Sequence, residues 1–294
     1  MTQRLFGTDG IRGAAGKFPL DGPTVTRIGA ALVLSLGQKH LEKSIVIGRD
    51  TRESSQWIEH ALAVGAAAEG ARVTSIGVAP TPAVAFLTSS NGFDAGVVIS
   101  ASHNPYGDNG IKIFSAGGIK LNEQRETVLA KIVCDDSWST PDAGSAPVVE
   151  SELLRLYFQH VRSVLPNPTG LRPMRLAVDC ANGATVGVAP RLFGELGFEV
   201  ITTGCEPDGR NINDGCGSTH PEHLSQLVKT RECRMGVALD GDGDRAIFVD
   251  GRGHVLDGDK VLFVCAKHLQ SENRLRGDAV VATEMSNVGL KISL

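Results

Sequence analysis

The feature of this sequence that most restricts its fold is a pattern that occurs twice. Two glycines, a valine and a proline recur 127 residues apart, at Gly70/Gly197, Val73/Val200, Gly77/Gly204 and Pro80/Pro207. Each copy follows an apolar, strand-like run (residues 45–47 and 176–178) and a helical pattern (about residues 54–69 and 184–196). A strand–helix–strand unit that is used twice predicts two similar α/β domains.

The chain of 294 residues is long enough for about two domains. We expect a first domain, a second domain and the start of a third over residues 1–150, 151–254 and 255–294, respectively. Residues 135–147 are predicted to form a surface loop, and residues 165–173 are predicted to connect the first two domains. In the third part, the apolar residues 279–282 indicate another strand.

Composition limits the partners of this protein. A net charge of −4 and a pI near 6.1 argue against nucleic acid as a main partner. No secretory signal opens the chain, and no apolar run approaches the length that spans a membrane, so we expect a cytoplasmic protein without a membrane partner. The six cysteines contain no Cys-x-x-Cys pair. They are interpreted as buried free thiols, and a zinc site is not favoured.

An acidic motif, Asp240, Asp242 and Asp244, directly follows the apolar run of residues 235–239, which predicts a buried strand. Alternate residues of an extended segment face the same side, so the three carboxylates are expected to lie together. Adjacent negative charges repel one another unless a cation lies between them, and hard oxygen ligands suit Mg²⁺. The motif therefore predicts a phosphate-handling magnesium site. An acidic surface turn is the alternative.

A second motif follows the apolar run of residues 97–99, which predicts a strand that ends in a polar loop. The loop contains Ser102, His103 and Asn104, and Lys112 lies on the next predicted strand. A serine can act as a covalent carrier when it is activated or already phosphorylated. A phosphoserine carries close to two negative charges and would be attracted to a metal held by three aspartates. Taken alone, this loop is better explained as an ordinary turn, but beside a magnesium loop the carrier interpretation is favoured.

Two other kinds of site fit these motifs poorly. A calcium-binding EF-hand loop would need glycine at its sixth position and glutamate at its twelfth, where this sequence has Arg245 and Gly251. A serine-hydrolase nucleophile elbow would need a glycine two residues before and after the serine, and Ser102 has neither.

Taken together, these motifs resemble those of the α-D-phosphohexomutases. The resemblance rests on residues 100–105 with 109–112, which look like the phosphoserine loop of that family, on residues 240–245, which look like its magnesium loop, and on residues 48–52. Residues 4–13 are similar to the opening of the phosphoglucosamine mutase branch. The combination is far more specific than any one motif. It implies an α/β fold made of repeated three-layer domains with mixed sheets.

The resemblance also implies a reaction, the interconversion of glucosamine 6-phosphate and glucosamine 1-phosphate. The substrate would be a hexosamine phosphate, the cofactor one Mg²⁺ ion, and a sugar bisphosphate would serve as activator or intermediate. Phosphoryl transfer of this kind depends mostly on positioning and charge stabilisation. A homodimer is compatible with this assignment.

The residue roles implied by the resemblance are as follows. Ser102 carries the phosphoryl group, and its phosphate joins Asp240, Asp242 and Asp244 in holding the metal. Arg12 and Arg245 contact the phosphoserine region, while Lys112 and His103 are the proton-transfer groups. Lys112 can act as a base only if its pKa falls well below the usual value. For Arg49 and Arg52 we expect a structural role, in a salt-bridged loop that holds the serine loop.

The sequence departs from the family in its length. Family members have four domains, whereas this chain stops early in the third, without the loop that recognises the sugar. We therefore expect a truncated protein that binds Mg²⁺, turns over poorly and exposes apolar surface in its third part. Phosphomannomutase or phosphoglucomutase activity, a Mg²⁺-dependent phosphatase and an inactive ligand-binding fragment are the alternatives.

Overall fold

The computed structural model describes residues 5–7, 9–37, 42–140, 144–164 and 174–294. In this part of the chain, the first sheet is built from β1 (Ile11–Ala14), β2 (Lys43–Arg49), β3 (Ala71–Val78), β4 (Ala95–Ile99), β5 (Asp108–Ser115) and β6 (Val148–Val149). The strands lie in the order β1-β5-β4-β2-β3-β6. β2 runs parallel to β3 and β4, whereas β5 is antiparallel to β1 and β4. The predicted mixed sheet is therefore confirmed here.

Helices cover both faces of this sheet. They are α1 (Gly22–Ser35), α2 (Glu53–Ala68), α3 (Thr81–Ser90) and α4 (Glu123–Val133). Alternate residues of β2 face the two layers: Ile45 and Ile47 belong to the core that includes α1, α2 and α4, whereas Val46 belongs to the core that includes α3. The predicted three-layer arrangement follows from this alternation, because every second side chain of a central strand is buried on each side.

The second sheet has five strands, one fewer than the first, and it is again a mixed sheet. This region comprises α5 (Leu153–Ser163), β7 (Arg175–Asp179), α6 (Ala189–Glu195), β8 (Glu199–Thr203), α7 (Pro221–Thr230), β9 (Met235–Leu239), β10 (Ala246–Asp250) and β11 (Val255–Leu256). The strand order is β11-β10-β9-β7-β8. β7 is parallel to β8 and β9, and β10 is antiparallel to its two neighbours.

The structure explains the internal repeat. The two copies correspond to β2-α2-β3 and β7-α6-β8, and in each the two strands pair in parallel. The repeated glycines all adopt positive φ, at +81° and +93° for Gly70 and Gly197, and at +71° and +58° for Gly77 and Gly204. Only glycine enters this region without a steric penalty, so the repeat marks the same two positive-φ positions in both domains, one in the turn between helix and strand and one at the end of the second strand.

The chain continues after β11 with α8 (Gly258–Ser271), a short 3₁₀ turn (Arg276–Asp278) and α9 (Val288–Ser293). Apolar side chains here are largely exposed, as we expected, with Met285 and Ile292 at 92% and 79%. The strand predicted over residues 279–282 is wrong: these residues join no sheet in the described part of the chain, and Val281 is 91% exposed. A strand requires a neighbour for its hydrogen-bond ladder, and the described strands provide none for this segment.

Two further predictions require correction. The helix expected over residues 184–196 begins only at Ala189. The residues before it form turns, because the Ala184 N–H donates to the Gly241 carbonyl at 2.8 Å instead of joining a helix. The cysteines are all free, but they are not all buried: Cys134 and Cys265 are exposed and Cys205 is half-buried. Cys134 follows the last turn of α4 at the surface, and Cys265 lies on an outward-facing side of α8.

The remaining segments agree with expectation where they can be seen. The described residues of 135–147 form neither helix nor strand, whereas the predicted connector at 165–173 lies outside the described residues. Among the described residues, none of the helices has both the length and the apolar character that crossing a bilayer requires.

The two α/β units contact each other through α5 and through the loops that follow β4 and β9. α5 packs on α3, where the ring of His160 stacks on that of Phe86 with centroids 4.2 Å apart. On the side of the second sheet, Phe158 of α5 belongs to an apolar cluster with Leu192 of α6. The loops after β4 and β9 meet between the domains, and this meeting point is the candidate site.

Candidate active site

Ser102 lies in the loop that follows β4, and its side chain is buried. Its backbone has φ of +54°, in the left-handed region that residues other than glycine rarely adopt. Backbone strain of this kind is concentrated at functional sites. The Ser102 hydroxyl donates to Asp240 Oδ2 at 2.6 Å. The structure therefore brings the predicted serine loop into direct contact with the acidic motif.

The acidic motif follows β9 and forms a compact cluster. One carboxylate oxygen from each of Asp240, Asp242 and Asp244 lies within 4.8 Å of the other two. Asp240 and Asp242 are buried, whereas Asp244 is exposed. Asp242 Oδ1 is buried and has no hydrogen-bond partner among the described residues. Because buried carboxylate oxygens are rarely left unpaired, this donor set fits a divalent cation.

The carboxylates of the acidic motif lie so close together that each affects the pKa of its neighbours. Burial and the neighbouring Asp242 carboxylate raise the pKa of Asp240 to about 6. Burial also acts to raise the pKa of Asp242, but the adjacent Lys112 ammonium and the hydrogen bond from Thr81 act in the other direction, and the net result is a lowered pKa. A cation at this position would relieve the repulsion that the buried carboxylates exert on one another.

Lys112, on β5, is the cation that the structure places nearest the cluster. Its Nζ lies 2.8 Å from Asp242 Oδ2, 3.4 Å from Asp244 Oδ2 and 3.2 Å from Asp9 Oδ2. Burial acts to lower the pKa of Lys112, but these three carboxylates together raise it. The lowered pKa that a lysine base requires is therefore not found in this structure.

Two arginines approach the serine from different domains. Arg245, next to the acidic motif, donates from Nη2 to Ser102 Oγ at 2.5 Å and from Nε to Asp240 Oδ2 at 3.1 Å. Arg12, on β1, donates to the Ala101 carbonyl at 3.2 Å and pairs with Asp9. Its buried Nε has no partner among the described residues. The site therefore holds two guanidinium groups suited to phosphate oxygens.

His103 is exposed at the mouth of the site. Its Nδ1 lies 3.5 Å from Ser102 Oγ and 2.5 Å from Nη2 of Arg245. Partial burial, then Arg245 and Arg12, lower the pKa of the imidazole. A neutral imidazole beside the serine can accept a proton. An open cavity of about 640 Å³ lies over this group, with Arg12, Ser102 and Arg245 in its lining.

In the loop at residues 49–52, Arg52 has the structural role we predicted, whereas Arg49 pairs with Glu59 of α2 at 2.9 Å. Arg52 is fully buried and donates to the carbonyls of Ser102, Asn104 and Pro105 at 3.1, 2.9 and 2.5 Å. Asp50 pairs with Arg52 at 2.9 Å and accepts from the Ser100 hydroxyl at 2.6 Å. The Ser100 hydroxyl in turn accepts from the Ser102 N–H at 2.9 Å. The serine loop is therefore fixed through its backbone.

Sequence reasoning missed three residues of this site. Asn213 donates from Nδ2 to the Ser102 carbonyl at 2.9 Å, and Thr81 donates from Oγ1 to Asp242 Oδ2 at 2.7 Å. Each reaches across the boundary between the two domains, so no local spacing could have identified it. Asp9 pairs with Arg12, Lys112 and Lys120. Its position three residues before Arg12 was the signal that could have found it.

The fold and the site together define a class: paired α/β domains in which a strained serine loop meets a cluster of aspartates at the domain boundary. Residues 3–139 match the domain described as "Phosphoglucomutase/phosphomannomutase, alpha/beta/alpha domain I". Residues 155–253 match alpha/beta/alpha domain II of the same description. The chain belongs to the phosphoglucomutase/phosphomannomutase family.

Relatives and solved structures agree with this assignment. The chain is 45% identical to phosphoglucosamine mutase from Solibacter usitatus, over 99% of this chain and 65% of that protein. It is 44% identical to phosphoglucosamine mutase from Aeromonas salmonicida, over 100% of this chain and 66% of that protein. The chain thus spans about 65% of the length of these curated relatives.

Among solved structures, a phosphoglucomutase/phosphomannomutase family protein from Burkholderia thailandensis superposes with a TM-score of 0.76 at 30% identity, covering 93% of this chain and 60% of that one. The phosphoglucomutase pp63/parafusin from Paramecium gives a TM-score of 0.70 at 17% identity, covering 91% and 56%. The second likeness shows a shared fold.

Proposed function

We propose that this chain supplies the phosphoserine and metal-binding domains of a phosphoglucosamine mutase, which interconverts glucosamine 6-phosphate and glucosamine 1-phosphate. One observation carries the proposal: the Ser102 hydroxyl lies 2.6 Å from Asp240 and 2.5 Å from Arg245, beneath an open cavity. The relatives at 44–46% identity support the choice of sugar, because they bear the name phosphoglucosamine mutase.

Ser102 is the proposed phosphoryl carrier. In the first half of the reaction, the bond between Ser102 Oγ and phosphorus breaks as a hydroxyl of the sugar phosphate bonds to phosphorus, which gives a sugar bisphosphate. In the second half, Ser102 Oγ bonds to the phosphorus of the other phosphoryl group, the bond from that phosphorus to the sugar oxygen breaks, and the sugar oxygen takes up a proton. Such transfers depend on positioning and charge stabilisation, and the backbone anchors from Arg52 and Asn213 position the serine.

Asp240, Asp242 and Asp244 are the proposed ligands of one Mg²⁺ ion, together with the phosphate on Ser102. When bound, Mg²⁺ would supply charge neutralisation to the transferring phosphoryl oxygens. Arg245 holds the serine oxygen directly, and Arg12, which lines the same cavity, is the second guanidinium group proposed to contact the phosphate.

His103 and Lys112 are the proposed proton-transfer groups, with different tasks. The lowered pKa of His103 suits it to accept the proton of the attacking hydroxyl. The carboxylates around Lys112 raise its pKa, which suits its ammonium to donating hydrogen bonds or a proton. In this assignment His103 is the general base and Lys112 is the proton donor.

About a third of the length of the relatives has no counterpart in this chain. We propose that the part of the relatives outside the matched region provides further substrate contacts, so that residues 1–294 by themselves carry phosphate but turn over slowly. A cytoplasmic location belongs to the proposal, because all six cysteines are free thiols. The homodimer remains a prediction, which light scattering coupled to size-exclusion chromatography tests.

A single-turnover experiment tests the function. The chain, phosphorylated at Ser102 with ³²P, is mixed with Mg²⁺ and with glucosamine 6-phosphate or mannose 6-phosphate at a concentration comparable to that of the protein. We expect label to move to glucosamine 6-phosphate, and more slowly or not at all to mannose 6-phosphate. Preferred transfer to mannose 6-phosphate would favour the phosphomannomutase alternative, and release as inorganic phosphate would favour a phosphatase.

A further inference from the structure

A hydroxyl group of the first domain reaches the acidic motif of the second. Thr81 is the first residue of α3 and is buried. Its Oγ1 donates to Asp242 Oδ2 at 2.7 Å, and its backbone N–H donates to the Asp242 carbonyl at 2.8 Å. One residue thus holds both the side chain and the backbone of Asp242.

The two carboxylate oxygens of Asp242 have different surroundings. Oδ2 accepts from Thr81 and also from the Lys112 ammonium at 2.8 Å. Oδ1 is buried and has no partner among the described residues. Because the donors occupy Oδ2, Oδ1 is the oxygen left for a cation. Carboxylates that bind metals are commonly oriented by hydrogen bonds of this kind to the other oxygen.

The packing around the acidic loop prevents Asp242 from adjusting freely. Gly243 has φ of +68°, and a Cβ atom at this position would lie 3.0 Å from Pro80 Cβ and 2.4 Å from Thr185 Cγ2. The loop is therefore enclosed between Pro80 of the first domain and Thr185 of the second. Because the loop cannot move, the hydrogen bond from Thr81 sets the orientation of the Asp242 carboxylate.

We propose that Thr81 is a positioning residue of the metal centre: its hydroxyl fixes the rotamer of Asp242, so that the affinity for Mg²⁺ depends on the docking of the first domain against the second. The proposal rests on the proposed function in one respect, that the acidic motif binds Mg²⁺. It does not depend on which sugar phosphate the protein converts.

Three variants of the full chain separate positioning from packing. Thr81→Val removes the hydroxyl at nearly constant volume and keeps the backbone hydrogen bond, and Thr81→Ser restores the hydroxyl. Thr88→Val is the matched control, because Thr88 is buried in the same helix but donates within it, to the Val84 carbonyl at 2.6 Å. The affinity for Mg²⁺ alone is measured by calorimetry, with Mn²⁺ binding followed by electron paramagnetic resonance, and thermal melting checks that each variant is folded.

We expect Thr81→Val to weaken Mg²⁺ binding by about tenfold or more, as the loss of such outer contacts usually does. Thr81→Ser and Thr88→Val should stay within about twofold of the parent chain. Parental affinity in Thr81→Val would overturn the inference, as would an equal loss in Thr88→Val, and both results would leave the proposed function in place. If the parent chain itself binds no Mg²⁺, the inference and the metal-dependent function are both overturned.

Discussion

The Oγ atom of Ser102 lies 2.6 Å from Oδ2 of Asp240, although 138 residues separate them in the chain. The hydroxyl of the proposed carrier and the first carboxylate of the acidic motif share a hydrogen bond that exists only when the two domains are docked. The docking is itself specific, since Asn213 and Thr81 cross the same boundary in opposite directions. Phosphoryl carrier and proposed metal site are therefore built as one unit.

Mg²⁺ should stabilise the chain, because it binds the folded acidic motif and relieves the repulsion within it. At a Mg²⁺ concentration one hundred times the Kd, the gain should be about 2.7 kcal/mol. For a chain of 294 residues this corresponds to a rise in Tm of roughly 4–5 °C, read by calorimetry with EDTA as the reference. Asp242→Asn should abolish the rise, whereas Asp214→Asn, at an exposed position outside the cluster, should retain it.

Loss of Arg52 should destabilise the fold more than loss of any exposed arginine. Arg52→Ala leaves Asp50 buried without its partner, and we expect a decrease of about 3–5 kcal/mol in the free energy of unfolding. Arg52→Lys keeps the charge but cannot reach three carbonyls from one planar group, so it should still lose about 2 kcal/mol. Urea denaturation measures both. Arg125→Lys, on the exposed face of α4, should change stability by less than about 0.5 kcal/mol, and a loss there equal to that of Arg52→Lys would count against the argument.

Asn213 should affect phosphoryl transfer more than metal binding. Asn213→Gly removes the hydrogen bonds to the Ser102 and Asn104 carbonyls but tolerates the native φ of +58°. We expect the rate of phosphorylation of Ser102 by a sugar bisphosphate to fall roughly tenfold, because the serine is less well positioned. Mg²⁺ affinity should remain within about twofold. A larger effect on Mg²⁺ affinity than on phosphorylation would show that Asn213 acts on the acidic motif instead.

Close packing of α1 on α2 predicts a strong position dependence for glycine substitutions. A Cβ atom at Gly29 would lie 2.0 Å from the Leu62 carbonyl oxygen, which is backbone and cannot move away without shifting a helix. Gly29→Ala should therefore lower the free energy of unfolding by about 1–3 kcal/mol. Gly194→Ala, in α6, meets no atom within 4 Å and should be neutral or stabilising by up to about 1 kcal/mol. Equal effects of the two changes in urea denaturation would contradict this packing.

Local patterns allowed much of the fold to be predicted from the sequence. The repeated glycines mark positive-φ positions, and alternation of residues such as Ile45 and Val46 marks a central strand buried on both faces. The strand at residues 279–282 was predicted from an apolar run alone, and it fails because pairing also requires a neighbouring strand.

The site could be predicted only where its residues form continuous motifs. Ser102 and Asp240 lie in such motifs, whereas Thr81 and Asn213 take part only because two domains meet, which no spacing in the sequence encodes. The direction in which the pKa of Lys112 shifts could not be predicted from the sequence either, since it depends on three carboxylates from distant segments. Residue types are local information, but pKa values and hydrogen-bond partners follow from tertiary contacts.

Phosphosite mapping by mass spectrometry tests the central claim most directly. The chain is incubated with a sugar 1,6-bisphosphate, with Mg²⁺ or with EDTA, and its intact mass and phosphopeptides are measured. The account predicts an addition of about 80 Da at Ser102 in the presence of Mg²⁺, little addition with EDTA, and none in Ser102→Ala. Phosphate on another residue, or phosphorylation of Ser102 that is indifferent to Mg²⁺, would contradict it.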